Sequence, residues 1–223
     1  MFRSLFRRFK NGEPLLFGVF IAIAAVAVVL ITPPGGGASA AQGWVQTPQG
    51  PLGAADRDLL VKVRLAGLWE IPSGQQAQQK AASKRVKEVG MHLMTDHLKL
   101  DKEVRALAAQ LNVPLPDQPN ADQQGWMAQL AAVQPGAEYD LLFAQLLRAA
   151  HGKVFGVVAG VRSGTRNDLV RTFAQRAVEV VMKHMTLLES TGLVDYSDLP
   201  EPPMPSPAPP VSALDTPVRR ENA

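Results

Sequence analysis

The 223-residue chain contains no cysteine, and this absence removes several kinds of chemistry at once. Disulfides, iron–sulfur clusters, thiolate zinc sites, thiol nucleophiles and lipid attachment at a lipobox cysteine are all excluded. Aromatic residues are also scarce at 6%, whereas hydrophobic residues make up 46% of the chain. The length allows one ordinary domain with appendages, built around a mostly aliphatic core.

Positive and negative charges balance over most of the chain, although the net charge of the whole chain is +3 and its isoelectric point is near 9.3. The basic residues Arg3, Arg7, Arg8 and Lys10 outweigh Glu13 by three charges, which leaves residues 15–223 with no net charge. Nothing after residue 14 resembles a basic patch with interleaved aromatics. The sequence therefore argues against nucleic-acid binding.

Catalytic motifs are also missing. The chain has no Gly-rich phosphate loop, no G-x-S-x-G elbow and no H-E-x-x-H pair, and no pattern singles out a nucleophilic serine. The sequence leaves enzymatic activity undecided and favours its absence. We predict no catalytic residues.

An uncharged run of eighteen residues, LLFGVFIAIAAVAVVLIT (15–32), follows the basic residues 1–14. This order is typical of an export signal or of a single transmembrane anchor, and the positive-inside rule keeps residues 1–14 in the cytoplasm. The sequence around Ala40 would allow cleavage and secretion. The length of the run favours an anchor instead, because a signal core usually has about 7–15 residues. We expect the protein to contact the membrane through residues 15–32, with its body on the extracytoplasmic side.

Two stretches of unusual composition flank the central part of the chain. Residues 33–55 are rich in Gly, Pro, Ala and Gln and predict a flexible linker. Residues 193–223 predict a disordered tail, because eight prolines fall between positions 200 and 217. This tail could bind a proline-recognition module or act as a spacer, but its composition favours a solvated terminus.

Between these stretches, residues 56–192 show helical periodicity. We predict four long helices at 56–82, 84–112, 138–162 and 166–191, and a shorter one at 121–133. Pro72 predicts a kink in the first helix, and Thr165 with Asp168 predicts a capping box for the last. The pattern indicates an all-α fold, an antiparallel up-down-up-down four-helix bundle preceded by the transmembrane or signal helix.

Four ionisable residues lie on or beside the apolar stripes of these helices, one on each: Glu70, His97, His151 and His184. Such residues need partners when they are buried. Imidazole and carboxylate groups bind transition metals, and they also satisfy one another in protein cores.

The segment VKEVGMHLMTDHLKLDKEVRALAAQLNVPLP (86–116) resembles the second helix of a bacterial extracytoplasmic, ferritin-like family catalogued as domain of unknown function 4142. The resemblance rests on Asp96-His97 at mid-helix, on the run from Val104 to Ala109 and on the VPLP exit, and it extends over about residues 56–192. Glu70 matches the first-helix glutamate of the family, AAHGKVF (149–155) takes the place of its third-helix histidine motif, and His184 matches its late histidine. The resemblance implies a four-helix fold and a role in envelope physiology, but no defined activity.

Two departures from the family pattern bear on metal binding. Ala150 stands where the family usually has an aspartate beside the histidine, and Pro72 stands where a second acid is common. A ferritin-like di-iron site also requires Glu-x-x-His motifs, and this chain contains none. The sequence therefore argues against a di-iron centre.

A mononuclear site remains as a hypothesis, which the heights of the residues along their helices refine. Glu70 and His97 are almost equally far along the chain from a turn at Ser83, one before it and one after it, so the two are level. His184 lies farther beyond a turn at Gly164 than His151 lies before it, by about two helical turns or about 10 Å. We therefore predict a cluster of Glu70, His97 and His151 without His184.

Two functions follow from this cluster. The favoured one is a membrane-anchored or exported helical protein with a binding or structural role and no cofactor, in which His97 donates a hydrogen bond to Glu70 and His151 completes a buried polar layer. The alternative is a metal-binding protein in which Glu70, His97 and His151 hold a transition metal ion. The sequence leaves the partner proteins unknown.

Overall fold

The computed structural model describes residues 43–199, which form an all-α protein of five helices with antiparallel packing. The helices are α1 (Ala54–Lys80), α2 (Lys84–Gln110), α3 (Ala121–Ala132), α4 (Ala137–Gly164) and α5 (Asp168–Glu189), followed by a 3₁₀ turn at Tyr196–Asp198. Each helix begins and ends close to its predicted position. The predicted segments 1–14 and 15–32 lie outside the described residues, as do most of the predicted tail and the first part of the linker.

Two helical hairpins form the body of the domain. Short turns join α1 to α2 and α4 to α5, and the hairpins meet where α1 packs on α4 and α2 packs on α5. The shorter α3 crosses between them and contacts α1 and α4. Its N-terminus has the predicted capping box, in which the side chain and backbone of Asn120 pair with the backbone and side chain of Gln123.

Helices α1 and α2 approach each other closely at a pair of glycines. A Cβ atom on Gly74 would lie 2.4 Å from the carbonyl oxygen of Gly90, and one on Gly90 would lie 2.8 Å from the Cβ of Ala77. Neither position has room for a side chain, so the two backbones can pack directly. This contact sets the spacing of the first hairpin.

Helix α1 runs without a break through Pro72. Proline lacks the N–H that would bond to the carbonyl of residue 68, but the helix does not end there. At the next residue the buried hydroxyl of Ser73 donates to the carbonyl oxygen of Trp69 at 2.7 Å. Glu70 is thus held within a continuous helix.

Two local predictions are corrected by the structure. The N-cap of α5 is Asn167, whose side chain accepts from the backbone N–H of Val170, whereas the hydroxyl of Thr165 accepts from the N–H of Asn167. Residues 43–53, placed in the predicted linker, pack on the domain, since Leu52 is buried in its core. Within this segment, Leu52 and Val45 pair through backbone hydrogen bonds. The buried amide of Asn167 donates to this segment at the carbonyl oxygen of Gly50.

Within residues 43–199, one helix is long and apolar enough to cross a membrane by length and composition, namely α4. In the structure α4 packs against α1, α3 and α5 and supplies Tyr139, Phe143 and Leu147 to the core. It is therefore one of the packed helices of the bundle.

The apolar core consists of two clusters that lie one above the other. The first includes Leu60, Leu100 and Phe173, and the second includes Trp69, Leu93 and Phe143. Along α2, α4 and α5, the ionisable residue singled out in the sequence lies between the residues that enter one cluster and those that enter the other. On α1, Glu70 directly follows Trp69, the first residue of that helix to enter the second cluster. The two clusters thus enclose a polar layer.

Candidate metal centre

The polar layer brings together one residue from each long helix. Glu70 comes from α1, His97 from α2, His151 from α4 and His184 from α5. All four are buried, with exposed fractions of 4%, 5%, 1% and 0%. One nitrogen or oxygen atom of each lies within 4.8 Å of the corresponding atoms of the other three.

The predicted cluster of Glu70, His97 and His151 is therefore close in space. The exclusion of His184 is wrong, since its Nδ1 lies 3.0 Å from the Nε2 of His151. The predicted offset between His151 and His184 was too large because it counted the connection from Gly164 to Asp168 as helix, whereas α5 begins only at Asp168. Counted from the facing ends of α4 and α5, the offset is about 4.5 Å. Side chains lean towards the N-terminus of a helix, so the two side chains lean towards each other and close it.

Glu70 faces the imidazoles with a single oxygen atom. Its Oε2 lies 2.9 Å from the Nε2 of His97 and 3.4 Å from the Nε2 of His151. Despite this short distance, Oε2 and both ring nitrogens of His97 have no hydrogen-bond partner of regular geometry. The predicted contact between His97 and Glu70 is present, but not as a well-formed hydrogen bond.

The other two histidines are oriented by partners outside the cluster. The Nδ1–H of His151 donates to the carbonyl oxygen of Leu147 at 2.8 Å, and the Nε2–H of His184 donates to the Oδ2 of Asp96 at 3.1 Å. A carbonyl and a carboxylate can only accept, so these contacts assign the ring protons to the outer nitrogens. The inner nitrogens of both rings then present lone pairs to the centre.

Asp96 lies outside the cluster but acts on it. Its Oδ2 accepts from His184 and also from the Nζ of Lys183 at 2.6 Å. Burial alone would raise the pKa of the Asp96 carboxyl, but the hydrogen bonds from Lys183 and His184 outweigh it and lower that pKa. Its reach to α5 depends on the packing of α2 on α5.

The electrostatics of the layer favour a charged carboxylate at Glu70 and neutral rings at His151 and His184. Burial would raise the pKa of Glu70, but His151, His97 and His184 lower it to about 2. Burial lowers the pKa of His151, and burial with the neighbouring His151 and His97 lowers the pKa of His184 to about 3. One anionic oxygen and neutral ring nitrogens are the protonation states in which these groups bind a metal ion.

Comparison with known proteins agrees with an all-α fold of undefined activity. No curated protein matches the chain. A crystal structure of a DUF305 protein from Streptomyces coelicolor, described as secreted, is similar with a TM-score of 0.52 and 12% identity over 61% of this chain and 89% of that one. At this identity the likeness concerns the fold alone. The model of the DUF4142 family, a domain of unknown function, matches residues 43–190. This match covers most of the chain, which therefore belongs to the DUF4142 family.

Proposed function

We propose that this protein binds one divalent first-row transition metal ion through Glu70, His97, His151 and His184, and that it does so outside the cytoplasmic membrane. The proposal depends above all on the contact between His151 and His184. Their inner nitrogens lie 3.0 Å apart, while the outer nitrogens donate to Leu147 and Asp96. Two neutral rings in these tautomers direct lone pairs at each other, and a cation between them turns this repulsion into attraction.

The spacing of the groups suits a small tetrahedral ion. Zinc binds imidazole nitrogen and carboxylate oxygen at about 2.0–2.2 Å, which places neighbouring ligand atoms about 3.3 Å apart. Three of the pairs are separated by 2.9, 3.0 and 3.4 Å, and one ligand atom of each residue lies within 4.8 Å of those of the other three. Copper, nickel and iron accept the same ligand types, so zinc is the reference ion and the others are competitors.

The four protein ligands favour a role in holding the ion. Catalytic zinc sites typically have three protein ligands and keep the fourth position for water or substrate, whereas structural sites are closed by four. Here the four side chains surround the centre and are almost fully buried. The proposed function is therefore metal binding without enzymatic activity.

The cellular location follows from the N-terminal sequence. A basic run followed by the apolar residues 15–32 is typical of export or anchoring, and the structurally similar DUF305 protein is described as secreted. We favour an anchored protein with its helical domain on the extracytoplasmic side. Fractionation of cells that express the full chain tests this, because cleavage near Ala40 would release a shorter soluble product.

Metal titration of the full chain, kept in mild detergent because of residues 15–32, tests the binding itself. After removal of metal with a chelator, Zn²⁺ should bind with one ion per chain, and Co²⁺ should give the visible spectrum of a tetrahedral site. Glu70→Gln and His151→Gln should each weaken binding by at least about tenfold, because each removes one of four ligands. Chelator competition measures the affinity.

His92→Gln is the matched control, since His92 lies exposed on α2 away from the cluster. Its affinity should equal that of the wild type. Binding below one ion per chain, or equal affinity in His151→Gln and the wild type, would contradict the proposal. The cluster would then be the polar layer of the favoured sequence hypothesis.

A further inference from the structure

We propose that the pocket between α1, α3 and α4 is the port through which the metal ion enters and leaves the centre. The inference rests on the proposed function, because it assumes that the centre binds an ion. The pocket has a volume of about 190 Å³, and Glu70 lies at its wall. None of the three histidines lines it.

Glu70 is therefore the ligand that an ion in this pocket meets first. Its Oε2 faces the imidazoles and the same residue lines the pocket, so Glu70 links the pocket to the ring nitrogens. A carboxylate can hold a cation through either oxygen and can transfer it by rotating about its side-chain bonds. An ion bound first at the pocket side can thus pass to the histidines without leaving Glu70.

Small side chains leave this passage open. Ala66 of α1 and Ala150 of α4 line the pocket, and Trp69 and Trp126, with ring centroids 5.1 Å apart, form part of its wall. A larger side chain at either alanine would project into this pocket of about 190 Å³ and narrow it. Ala150 occupies the position beside His151 and lines the pocket without contributing a ligand.

A positive charge lies at the same pocket. Lys62 and Lys153 both line it, and Lys62 is paired with Asp58 at 2.6 Å. Lys153 repels an incoming cation, so removing its charge should speed entry. On the α5 side of the centre, Asp96 accepts from His184, and Lys183 lies 2.6 Å from the same carboxylate oxygen.

Rates of Zn²⁺ uptake and release by the full chain test the port. Uptake is followed by stopped-flow mixing with Zn²⁺, and release by transfer to an excess of a chromophoric chelator. Ala150→Leu should slow both rates by about tenfold or more and leave the dissociation constant within about threefold, because it narrows the path and touches no ligand atom. Lys153→Gln should speed uptake.

Ala149→Leu is the matched control, since Ala149 is the preceding residue of α4 and does not line the pocket. It should leave both rates at the wild-type values. Ala66→Leu narrows the pocket from the opposite wall and gives a second test if Ala150→Leu fails to fold. Slow exchange in either variant, with the affinity retained, supports the port.

Normal Zn²⁺ affinity with unchanged rates in both narrowed variants would overturn the port and leave the proposed function in place. Faster exchange in Lys183→Ala, together with unchanged rates in the narrowed variants, would place the path beside Asp96 and also overturn it. Failure of the wild type to bind Zn²⁺ would overturn the proposed function itself. The outcomes thus separate the two proposals.

Discussion

The orientation of single side chains decides what the centre can bind. His151 and His184 each have one ring nitrogen engaged outside the cluster, whereas neither nitrogen of His97 has a hydrogen-bond partner. Partners of this outer kind fix the tautomer and raise the basicity of the inner nitrogen. Asp96 is thus a positioning residue that contributes through His184.

Asp96→Asn should lower the affinity for Zn²⁺ by about 10- to 100-fold, because the neutral amide is a weaker acceptor for the Nε2–H of His184. The stoichiometry should stay at one ion per chain, since no ligand is removed. Competition with a chelator of known affinity measures the change. Glu103→Gln is the control, because it removes the same charge from an exposed ion pair with Arg176 on the same two helices. Equal affinities in the two variants would show that Asp96 plays no such part.

The buried imidazoles also predict how the stability of the metal-free protein depends on pH. The folded-state pKa values of His151 and His184 lie below the ordinary value of 6.5, so the unfolded chain binds more protons than the folded one below that pH. The free energy of unfolding should therefore fall as the pH drops from 7 towards 4. The lowered pKa of Glu70 acts in the same direction below about pH 4.5.

Urea unfolding at several pH values, with a chelator present, measures this dependence. His184→Gln should flatten the slope between pH 6.5 and pH 4, because the variant lacks one of the two titrating rings. His92→Gln should keep the wild-type slope, since His92 is exposed. A metal-free protein with the same stability at pH 7 and pH 5 would contradict the assignment of neutral, buried rings.

The residues of the centre were only partly predictable from the sequence. Glu70, His97 and His151 could be grouped because a polar residue on an apolar stripe faces the core whatever the details of the turns. His184 could not be placed, since its height depends on the length of the connection before α5 and on the lean of side chains along antiparallel helices. The tautomers were equally out of reach, because they depend on contacts with Leu147 and Asp96.

The positions of the helices were more predictable from the sequence than the residues of the centre. Apolar periodicity and the prolines and glycines between the helices predicted all five helices with bounds close to those observed. The cap of α5 was missed because Thr165 and Asn167 are both good capping residues, and the packing of residues 43–53 on Asn167 decides between them. Local patterns thus predict where a helix lies, and tertiary contacts decide its last turn.

Alanine substitutions at two helical glycines should change the stability in opposite directions, because Gly74 lies at the close contact of α1 and α2 and Gly160 lies in open space on α4. Gly74→Ala should lower the free energy of unfolding by about 1–3 kcal/mol, because the new Cβ would meet the carbonyl oxygen of Gly90. Gly160→Ala should raise it by about 0.5–1 kcal/mol, because a Cβ at Gly160 of α4 meets nothing within 4 Å and alanine favours the helix. Urea unfolding measures both, and effects of the same sign would contradict the glycine contact.

At the scale of the whole molecule, the centre joins the two hairpins. Glu70 and His97 come from the first hairpin, His151 and His184 come from the second, and the layer lies between the two apolar clusters. An ion bound there cross-links all four long helices. Separation of the hairpins would then break the site, so metal binding and the association of the hairpins stabilise each other.

Metal should therefore stabilise the fold by an amount that its affinity sets. Free Zn²⁺ at 100 times its dissociation constant should raise the free energy of unfolding by about 2.7 kcal/mol, because the ion binds the folded state and not the unfolded chain. Thermal and urea unfolding with buffered Zn²⁺ measure the increase, which His151→Gln should lower by about half or more and His92→Gln should retain. An equal increase in His151→Gln would mean that Zn²⁺ acts elsewhere on the chain. Dependence on His151 would show instead that an ion in the polar layer holds the two hairpins together.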